Sequence, residues 1–412
     1  MPHSAFVPFE LPCGLTLKNR LVKAAMEENM ASAEQLPSDE LIHLYRTWSD
    51  GGVGLIITGN VMIDHLAMTG PGGVVLEQGT NLEHFKRLAT AAKRNNTKVW
   101  MQINHPGRQV FKRMGGKVLS PSDVALNMGK HSKLFGQPIP MTEEQIEDVI
   151  RRFATTAQLA EKAGFDGVEI HAAHGYLLAQ FLSPLVNHRD DQWGGSLENR
   201  ARLLLQVIQS IRAVVSPTFA VAVKLNSADF QRGGFDIDDA EQVAAMMSGL
   251  GVDVVELSGG SYEAPAMQGR SADSRTLARE AYFLEFAQRI AKSTDIPVMT
   301  TGGISRLKTV EQVLHSDIAL VGMASALAFT PDLPAKWQQE PAMKGIIPRV
   351  SWRDKTLSGL AVMAMIKRNL RLLGSGQPPL KHPSPIWSLL LDQIRTSKLT
   401  KRYRTRYSEE VD

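Results

Sequence analysis

Short apolar runs alternate with longer amphipathic segments along most of this chain. The runs at residues 54–59, 98–104 and 219–226 are rich in β-branched side chains and read as buried strands. Residues 21–25, 252–257, 296–301 and 318–323 have the same character. A further run starts at Asp166, carries Val168 and Ile170, and then breaks into small residues. Between the runs the apolar spacing turns helical. In residues 39–50, Leu41, Leu44, Tyr45 and Trp48 fall on one face, and Gly51-Gly52 ends the segment. The spacing also predicts helices over 81–96, 142–163, 196–215, 238–250, 276–292 and 307–315. Thr142 with Gln145 makes a capping-box pattern at the start of the second of these.

Eight strands alternating with helices predict an α/β protein of the (β/α)8 TIM-barrel class. A doubly wound sheet is the competitor. It would carry a Gly-x-Gly-x-x-Gly turn after its first strand, and nothing of that kind follows Ala25. The barrel is expected over residues 1–340. Between 106 and 140 the period fails and Gly, Pro, Ser and Lys become frequent, so an excursion, a hairpin over the mouth, is expected there. Residues 341–412 form an expected helical extension outside the eightfold count, with helices at 352–373 and 384–398. Its end holds Lys398, Lys401, Arg402, Arg404 and Arg406 among tyrosines. A solvated tail is one reading of that run; a contact in a homo-oligomer is the other.

Composition narrows the class. Hydrophobic content of 43% and charged content of 21% are those of a globular protein, and a net charge of +4 is too small to imply nucleic acid by itself. The single cysteine, Cys13, excludes a disulfide framework within the chain and a Cys-ligated iron–sulfur cluster. A cytoplasmic location fits this usage. No signal-peptide pattern and no stretch of roughly 18 apolar residues is present, so no membrane span is expected.

In parallel α/β proteins, active sites gather at the carboxyl ends of the strands. The fourth strand ends in His171-x-x-His174-x-Tyr176, two imidazoles and a phenol within six positions. The other strands bring Met26 and Glu27; Thr58, Gly59 and Asn60; Gln102, Asn104, His105 and Arg108; Lys224 and Asn226; and Glu256 and Ser258. Lys224 lies in an apolar strand, where an unpaired ammonium is costly, so it should meet an anion, an electron-rich ring or a structural partner. Gly302-Gly303 and Gly322 follow strands seven and eight, where barrels commonly bind phosphate. His171 and His174 also admit a metal reading, with Glu169 or Asn104 as further ligands, and a plain structural one.

Several motifs together resemble the old yellow enzyme family of FMN-dependent oxidoreductases, over roughly residues 5–340. They are Leu17-Lys18-Asn19-Arg20-Leu21-Val22, Gln102-x-x-His105-x-Gly107-Arg108, His171-Ala172-Ala173-His174-Gly175-Tyr176-Leu177, Phe181-Leu182-Ser183-Pro184, Asn187-His188-Arg189-Asp190 and Gly194-Gly195-Ser196-x-Glu198-Asn199-Arg200. The resemblance implies FMN as cofactor, NADH or NADPH as reductant, and a small-molecule substrate. Ala25, Met26, Gly59 and Gln102 would contact the flavin ring. Lys224 would stand beside its N1 and O2, where the family usually has Arg. Gly302, Gly303, Gly322 and Met323 would lie at the phosphate. His171 and His174 would bind a substrate carbonyl or nitro oxygen, with Glu27 nearby, and Tyr176 would protonate the α-carbon after hydride reaches the β-carbon. The implied activity is reduction of activated C=C bonds in a ping-pong cycle. Amine oxidation or demethylation on the same barrel, and a metal-dependent hydrolase using His171 and His174, are the alternatives.

Three positions depart from the family pattern. Glu27 stands where Cys or Thr is common, and an ionised carboxylate there would disfavour negative charge on the flavin. Met323 replaces an Arg that usually grips the phosphate. The extension after 340 is unlike the common C-terminus.

Overall fold

Eight strands pair side by side, all parallel, and close on themselves. The structure, a computed structural model, describes residues 3–266, 280–407 and 409–410. The barrel strands are β1 (Leu21–Lys23), β2 (Leu55–Ile57), β3 (Lys98–Asn104), β4 (Gly167–Ala172), β5 (Ala220–Asn226), β6 (Val254–Ser258), β7 (Val298–Thr300) and β8 (Leu320–Met323). The helices α1 (Asp39–Asp50), α2 (Glu83–Ala92), α3 (Glu143–Lys162), α4 (Leu197–Arg212), α5 (Ile237–Met247), α6 (Leu284–Ser293) and α7 (Leu307–Leu314) follow β1 to β7 in turn. This is the TIM barrel that the alternation predicts. The predicted start of the helix at 276 lies outside the described residues. Side-chain caps start the helices where the sequence offers them: Ser38 accepts from Leu41 N, and Thr142 and Gln145 close the full capping box.

Both faces of the sheet are buried, which is why the strands read as continuous apolar runs. One set of side chains, including Ile56, Val99, Val168, Val223 and Val255, packs outward against the helices. The other set fills the barrel. Val22, Leu55, Ile57, Trp100, Ala222, Val254 and Met299 occupy its amino-terminal half, and Leu11 and Leu17 of the N-terminal hairpin plug that end. Toward the carboxyl ends the inward positions become polar: Gln102, Asn104, Glu169, His171, Lys224, Asn226, Glu256 and Ser258, all buried. The apolar half makes the scaffold, and the polar half makes a site.

The excursion after β3 is not a hairpin. Its two short strands, Leu119–Ser120 and Ile139–Pro140, pair in parallel. Arg108 anchors the segment by donating to Val124 O at 2.9 Å and Ala125 O at 3.1 Å. Phe111 stacks on Phe135 with centroids 4.7 Å apart.

The C-terminal helices also differ from a detached extension. Helix α8 (Lys355–Gly374) packs against α1, and its Met365, Ile366, Leu370 and Leu373 enter the core between sheet and helices. Two short helices, Ser325–Phe329 and Leu333–Gln339, follow β8 directly and bury Leu327, Leu333 and Trp337. Helix α9 (Pro385–Arg406) runs straight through the basic segment expected to be a tail. Leu399 and Tyr403 lie one turn apart on its buried face, and Tyr403 Oη donates to His65 O at 2.8 Å. Arg402 donates to Ala31 O and Ser32 O and so ties the helix to the barrel, while Lys398 and Lys401 are exposed.

His65 adds a charged clasp. Its Nδ1 lies 2.7 Å from Glu77 Oε1 and its Nε2 3.0 Å from Glu410 Oε2. The hydrogen bond with Glu77 outweighs burial, and with Glu410 it raises the imidazole pKa from 6.5 to about 9. A raised folded-state pKa stabilises fully below the unfolded value and stops doing so as pH rises through the folded one. The stability gap between the wild type and His65→Asn is therefore expected to be widest below about pH 6.5, to narrow as pH rises from there, and to close above about 9. Urea unfolding across that range checks it; a gap independent of pH contradicts the charged clasp.

Candidate active site

The polar half of the barrel is dominated by one cation and two carboxylates. Lys224 Nζ lies 2.7 Å from Glu256 Oε1, and both side chains are buried. Glu169 stands in register with Gln102, which donates to its Oε2 at 2.5 Å. Burial works against the Lys224 charge, but Glu256 and Glu169 prevail and raise its pKa. Glu169 is pushed well above the usual carboxylate range, by burial first and by Glu256 second. One ammonium thus lies 2.7 Å from Glu256 and near Glu169, a carboxyl that prefers its proton. Of the partners its sequence position left open, Lys224 meets a structural one, Glu256, and the amide of Gln102 is held in a single orientation at the mouth.

The two histidines and the tyrosine of β4 converge above this layer. The ring centroids of His171 and His174 are 4.9 Å apart, and those of His171 and Tyr176 4.8 Å. A left-handed residue makes this possible: His174 has φ +60° and Gly175 φ +73°. Outside glycine that conformation costs on the order of 1–3 kcal/mol and needs support. Asn226 Oδ1 accepts from His174 N at 3.0 Å, and Gln109 Nε2 donates to His174 O at 3.0 Å. Ala173 N donates to His171 Nδ1 at 3.2 Å, which leaves Nε2 as the protonated nitrogen of that ring. His174 Nε2 lies 2.7 Å from Ser258 Oγ. Burial, with Lys224 nearby, holds both imidazoles well below 6.5, so they are neutral. Neutral imidazoles can hydrogen-bond a substrate oxygen without carrying charge into the site.

Three groups around Tyr176 complete the mouth. Tyr262, on the loop after β6, brings its Oη to 3.2 Å from Tyr176 Oη. Sequence spacing does not single out Tyr262; its only signal is its place after Gly259-Gly260 beyond a strand end. Asn60 lies against the Tyr176 phenol and favours its ionisation, whereas burial, Tyr262 and Glu27 oppose it, with a large net rise. Glu27 itself accepts from Thr69 Oγ1 at 2.5 Å. The Tyr262 loop is locked from above: Glu263 Oε2 meets the Arg108 guanidinium at 2.6 Å and Glu263 Oε1 accepts from Asn127 N at 2.6 Å. Phe135 of the excursion stands 6.0 Å from the Tyr262 ring, so the excursion and the β6 loop form one aromatic roof.

The remaining positions sort by what their side chains leave open. Ala25 and Met26 are half-buried at the end of β1. Gly59 N–H is directed at Glu28 Oε1 (3.2 Å) and Tyr45 Oη (3.0 Å), so this amide holds the scaffold. Glu28 also pairs with Lys23, a fully buried lysine whose Nζ lies 3.5 Å away and donates to Ile57 O. Gly302 and Gly303 have φ +117° and +66°, and a Cβ on Gly303 would lie 2.2 Å from Tyr282 Oη. Gly322 faces the barrel, where a Cβ would strike Thr301 and Met299. The Met323 side chain turns into the outer core, so only its backbone is available at the phosphate position. Tyr282, covering the glycines, is raised by burial and lowered by Arg349, a cation that sequence reasoning did not place here.

Among the described residues no third metal ligand stands within ligand spacing of His171 and His174. Among the described residues that spacing is met by Asp64, His65 and Glu77. Lys117 binds Asp64 at 2.7 Å and Arg152 lies 3.4 Å from Glu77, so that group is an ion-pair network. Among the described residues no helix is long and apolar enough to cross a membrane.

A flat anionic ring with a phosphate tail suits the chemistry of these residues: a cation and an oriented amide at one end, a glycine turn covered by the Tyr282 ring at the other, and hydrogen-bond donors above. Comparison with known proteins agrees. Residues 4–343 match the NADH:flavin oxidoreductase / NADH oxidase family. An NADH-dependent flavin oxidoreductase of Neonectria sp. (strain DH2) is 38% identical over 85% of the chain, which spans only 49% of that relative's length. One of the same description from Hypocrea jecorina (strain QM6a) is 36% identical over 80% of the chain and 88% of the relative. An NADPH dehydrogenase of Bacillus velezensis is 32% identical over 80% of the chain and 93% of the relative. The old yellow enzyme homologue from Zymomonas mobilis shares the fold, with a TM-score of 0.69 and 23% identity over 83% of this chain and 94% of that one. The chain thus belongs to the FMN-dependent NADH:flavin oxidoreductase / NADH oxidase family.

Proposed function

We propose that this enzyme reduces C=C bonds conjugated to a carbonyl or nitro group, with NADH or NADPH as the reductant. The observation that carries the reading is the convergence of two neutral imidazoles with the Tyr176 phenol at one mouth. FMN, when bound, supplies the hydride. Lys224 and Gln102 would hold its ring, Ala25 and Met26 would line it, and Gly302, Gly303 and the backbone at Gly322 and Met323 would take its phosphate. His171 and His174 hydrogen-bond the substrate oxygen and draw electron density from the β-carbon. Tyr176 gives its Oη proton to the α-carbon as general acid. Burial keeps that phenol protonated until the substrate needs it.

Substituted phenols mimic the substrate oxygen. The His171→Ala/His174→Ala variant is expected to bind them about 10–100-fold more weakly, the loss typical of hydrogen bonds to a charged oxygen. Titration of the visible band of the loaded enzyme with a phenol measures it; unchanged affinity would remove the histidines from the oxygen site. The reading as a whole is tested by NADH consumption under anaerobic conditions. Consumption should depend on an added enone, and an enone without effect would sink it.

One observation favours a second reading, amine oxidation: the Glu27 carboxylate acts on both phenols of the mouth, where a substrate cation would sit. Enzyme reduction by an added amine without NADH would support it.

A further inference from the structure

Tyr262 has no part in the reaction as described so far. It stands on a loop that the sequence pattern does not mark, yet its phenol is placed with care. Ser261 Oγ accepts from Glu263 N at 3.2 Å and Ala264 N at 3.3 Å, and Gly260 N donates to Ala228 O at 3.0 Å, so the turn is closed on itself. Tyr262 N donates to Gln109 Oε1 at 3.3 Å, and Gln109 also holds the carbonyl of His174. The same amide therefore fixes the histidine turn below and the tyrosine turn above. The Arg108–Glu263 pair, with Arg108 4% exposed, locks the loop from the excursion side. The outcome is a 3.2 Å approach of two phenol oxygens, with ring centroids 6.1 Å apart and nearly perpendicular. Tyr262 is half-buried, whereas Tyr176 is buried at 6% exposure.

We infer that Tyr262 is the proton-passing partner of Tyr176, donating a hydrogen bond to it during substrate protonation and then restoring its proton. This rests on the reading of Tyr176 as general acid. As the Tyr176 O–H bond breaks and the α-carbon–hydrogen bond forms, negative charge develops on Tyr176 Oη. The Tyr262 O–H group, donated to that oxygen, stabilises it. The proton then crosses, leaving Tyr262 as the phenolate, which takes a proton from water at the roof. The accompanying hydride comes from the nicotinamide through the established flavin chemistry, so no other reactant is needed.

The surroundings set the direction. The groups facing the pair are Asn60, Glu27 and the neutral ring of His171. Burial raises both phenols, and Glu27 adds to it on each. Their mutual hydrogen bond splits them: it lowers Tyr262 and raises Tyr176. Charge therefore runs from the deeper oxygen to the outer one. Glu27 gains a role here too, because it adds to the effect of burial in raising both phenols.

Tyr262→Phe keeps the ring and removes the donor. In the FMN-loaded enzyme, enone-driven reoxidation is expected to slow about 10–100-fold, with NADH reduction unchanged. In mixtures of light and heavy water, the wild-type rate should fall along a curve, reporting two protons in motion, and the Tyr262→Phe rate along a straight line. Tyr262→His, which can still carry a proton, should recover part of the rate. A structural role alone would move none of these isotope patterns. A second arm uses the apoprotein with ¹³C-labelled tyrosine: Tyr262 should ionise before Tyr176, and Tyr262→Phe, which removes the neighbouring phenolate, should move the Tyr176 midpoint downward. A linear response in the wild type, or Tyr176 ionising first, overturns the inference. If enones fail to reoxidise even the wild type, the reading of the reaction falls, and the order of ionisation still decides whether the phenols are coupled as inferred.

Discussion

Replacing Tyr176 by Phe is expected to slow reoxidation of the reduced enzyme by an enone by about 10²–10⁴-fold, while reduction by NADH stays within about twofold. The size follows from what is lost. The phenol is the acid that stands at the mouth beside the His171 ring, and its own ring, packed against His171 at 4.8 Å, survives in Phe. Substrate oxygen binding by His171 and His174 should therefore persist, and phenol affinity should change little. Stopped-flow spectroscopy separates the two half-reactions. Equal loss in both would mean that Tyr176 holds the cofactor or the structure, and the proton-donor role would fail.

Lys224→Met is expected to cost about 3–5 kcal/mol of stability even without cofactor, because it leaves the buried Glu256 side chain without its partner cation. Glu256 and Glu169 are both fully buried, and Lys224 is the ammonium between them, 2.7 Å from Glu256. The double variant Lys224→Met/Glu256→Gln should recover most of the loss, since it removes the stranded charge. Urea unfolding of the three proteins measures this. A loss below about 1 kcal/mol, the scale of an exposed pair, would mean that the layer is far better solvated than its burial implies. The loaded Lys224→Met enzyme should also have a lower flavin potential, since the buried cation favours the reduced, more negative form of the cofactor.

The barrel was legible because its physics is written as period. Parallel strands buried on both faces become unbroken apolar runs, so β3 and α1 match their predicted limits to the residue. The chemistry of β4 was legible because His171, His174 and Tyr176 interrupt such a run. The same logic that marked Lys224 applies to Lys23, an ammonium in the strand Leu21–Lys23. It sits buried with its Nζ 4.4 Å from the centre of the Trp48 ring and 3.5 Å from Glu28. Family-like motifs did not separate chemistry from scaffolding. Asn187 spends its amide on Phe181 O and Trp193 O, and Arg189 donates to Met141 O, so those residues hold loops. Tyr262 was hidden because its position depends on a loop fastened by residues far away in sequence, Gln109 and Arg108. The buried face of α9 was hidden because Leu399, Tyr403 and Tyr407 are spaced among five basic residues, which read as a charge run.

The central claim is that hydride and proton are added across a conjugated C=C bond, the proton coming through Tyr176. The most direct measurement is the position of isotope in the product of an enone. With nicotinamide deuterated at its transferable position in ordinary water, deuterium should appear on the β-carbon. With ordinary nicotinamide in heavy water it should appear on the α-carbon, and in Tyr176→Phe this product should form far more slowly. Recovery of the enone unchanged, with the nicotinamide oxidised only when oxygen is present, would contradict the account.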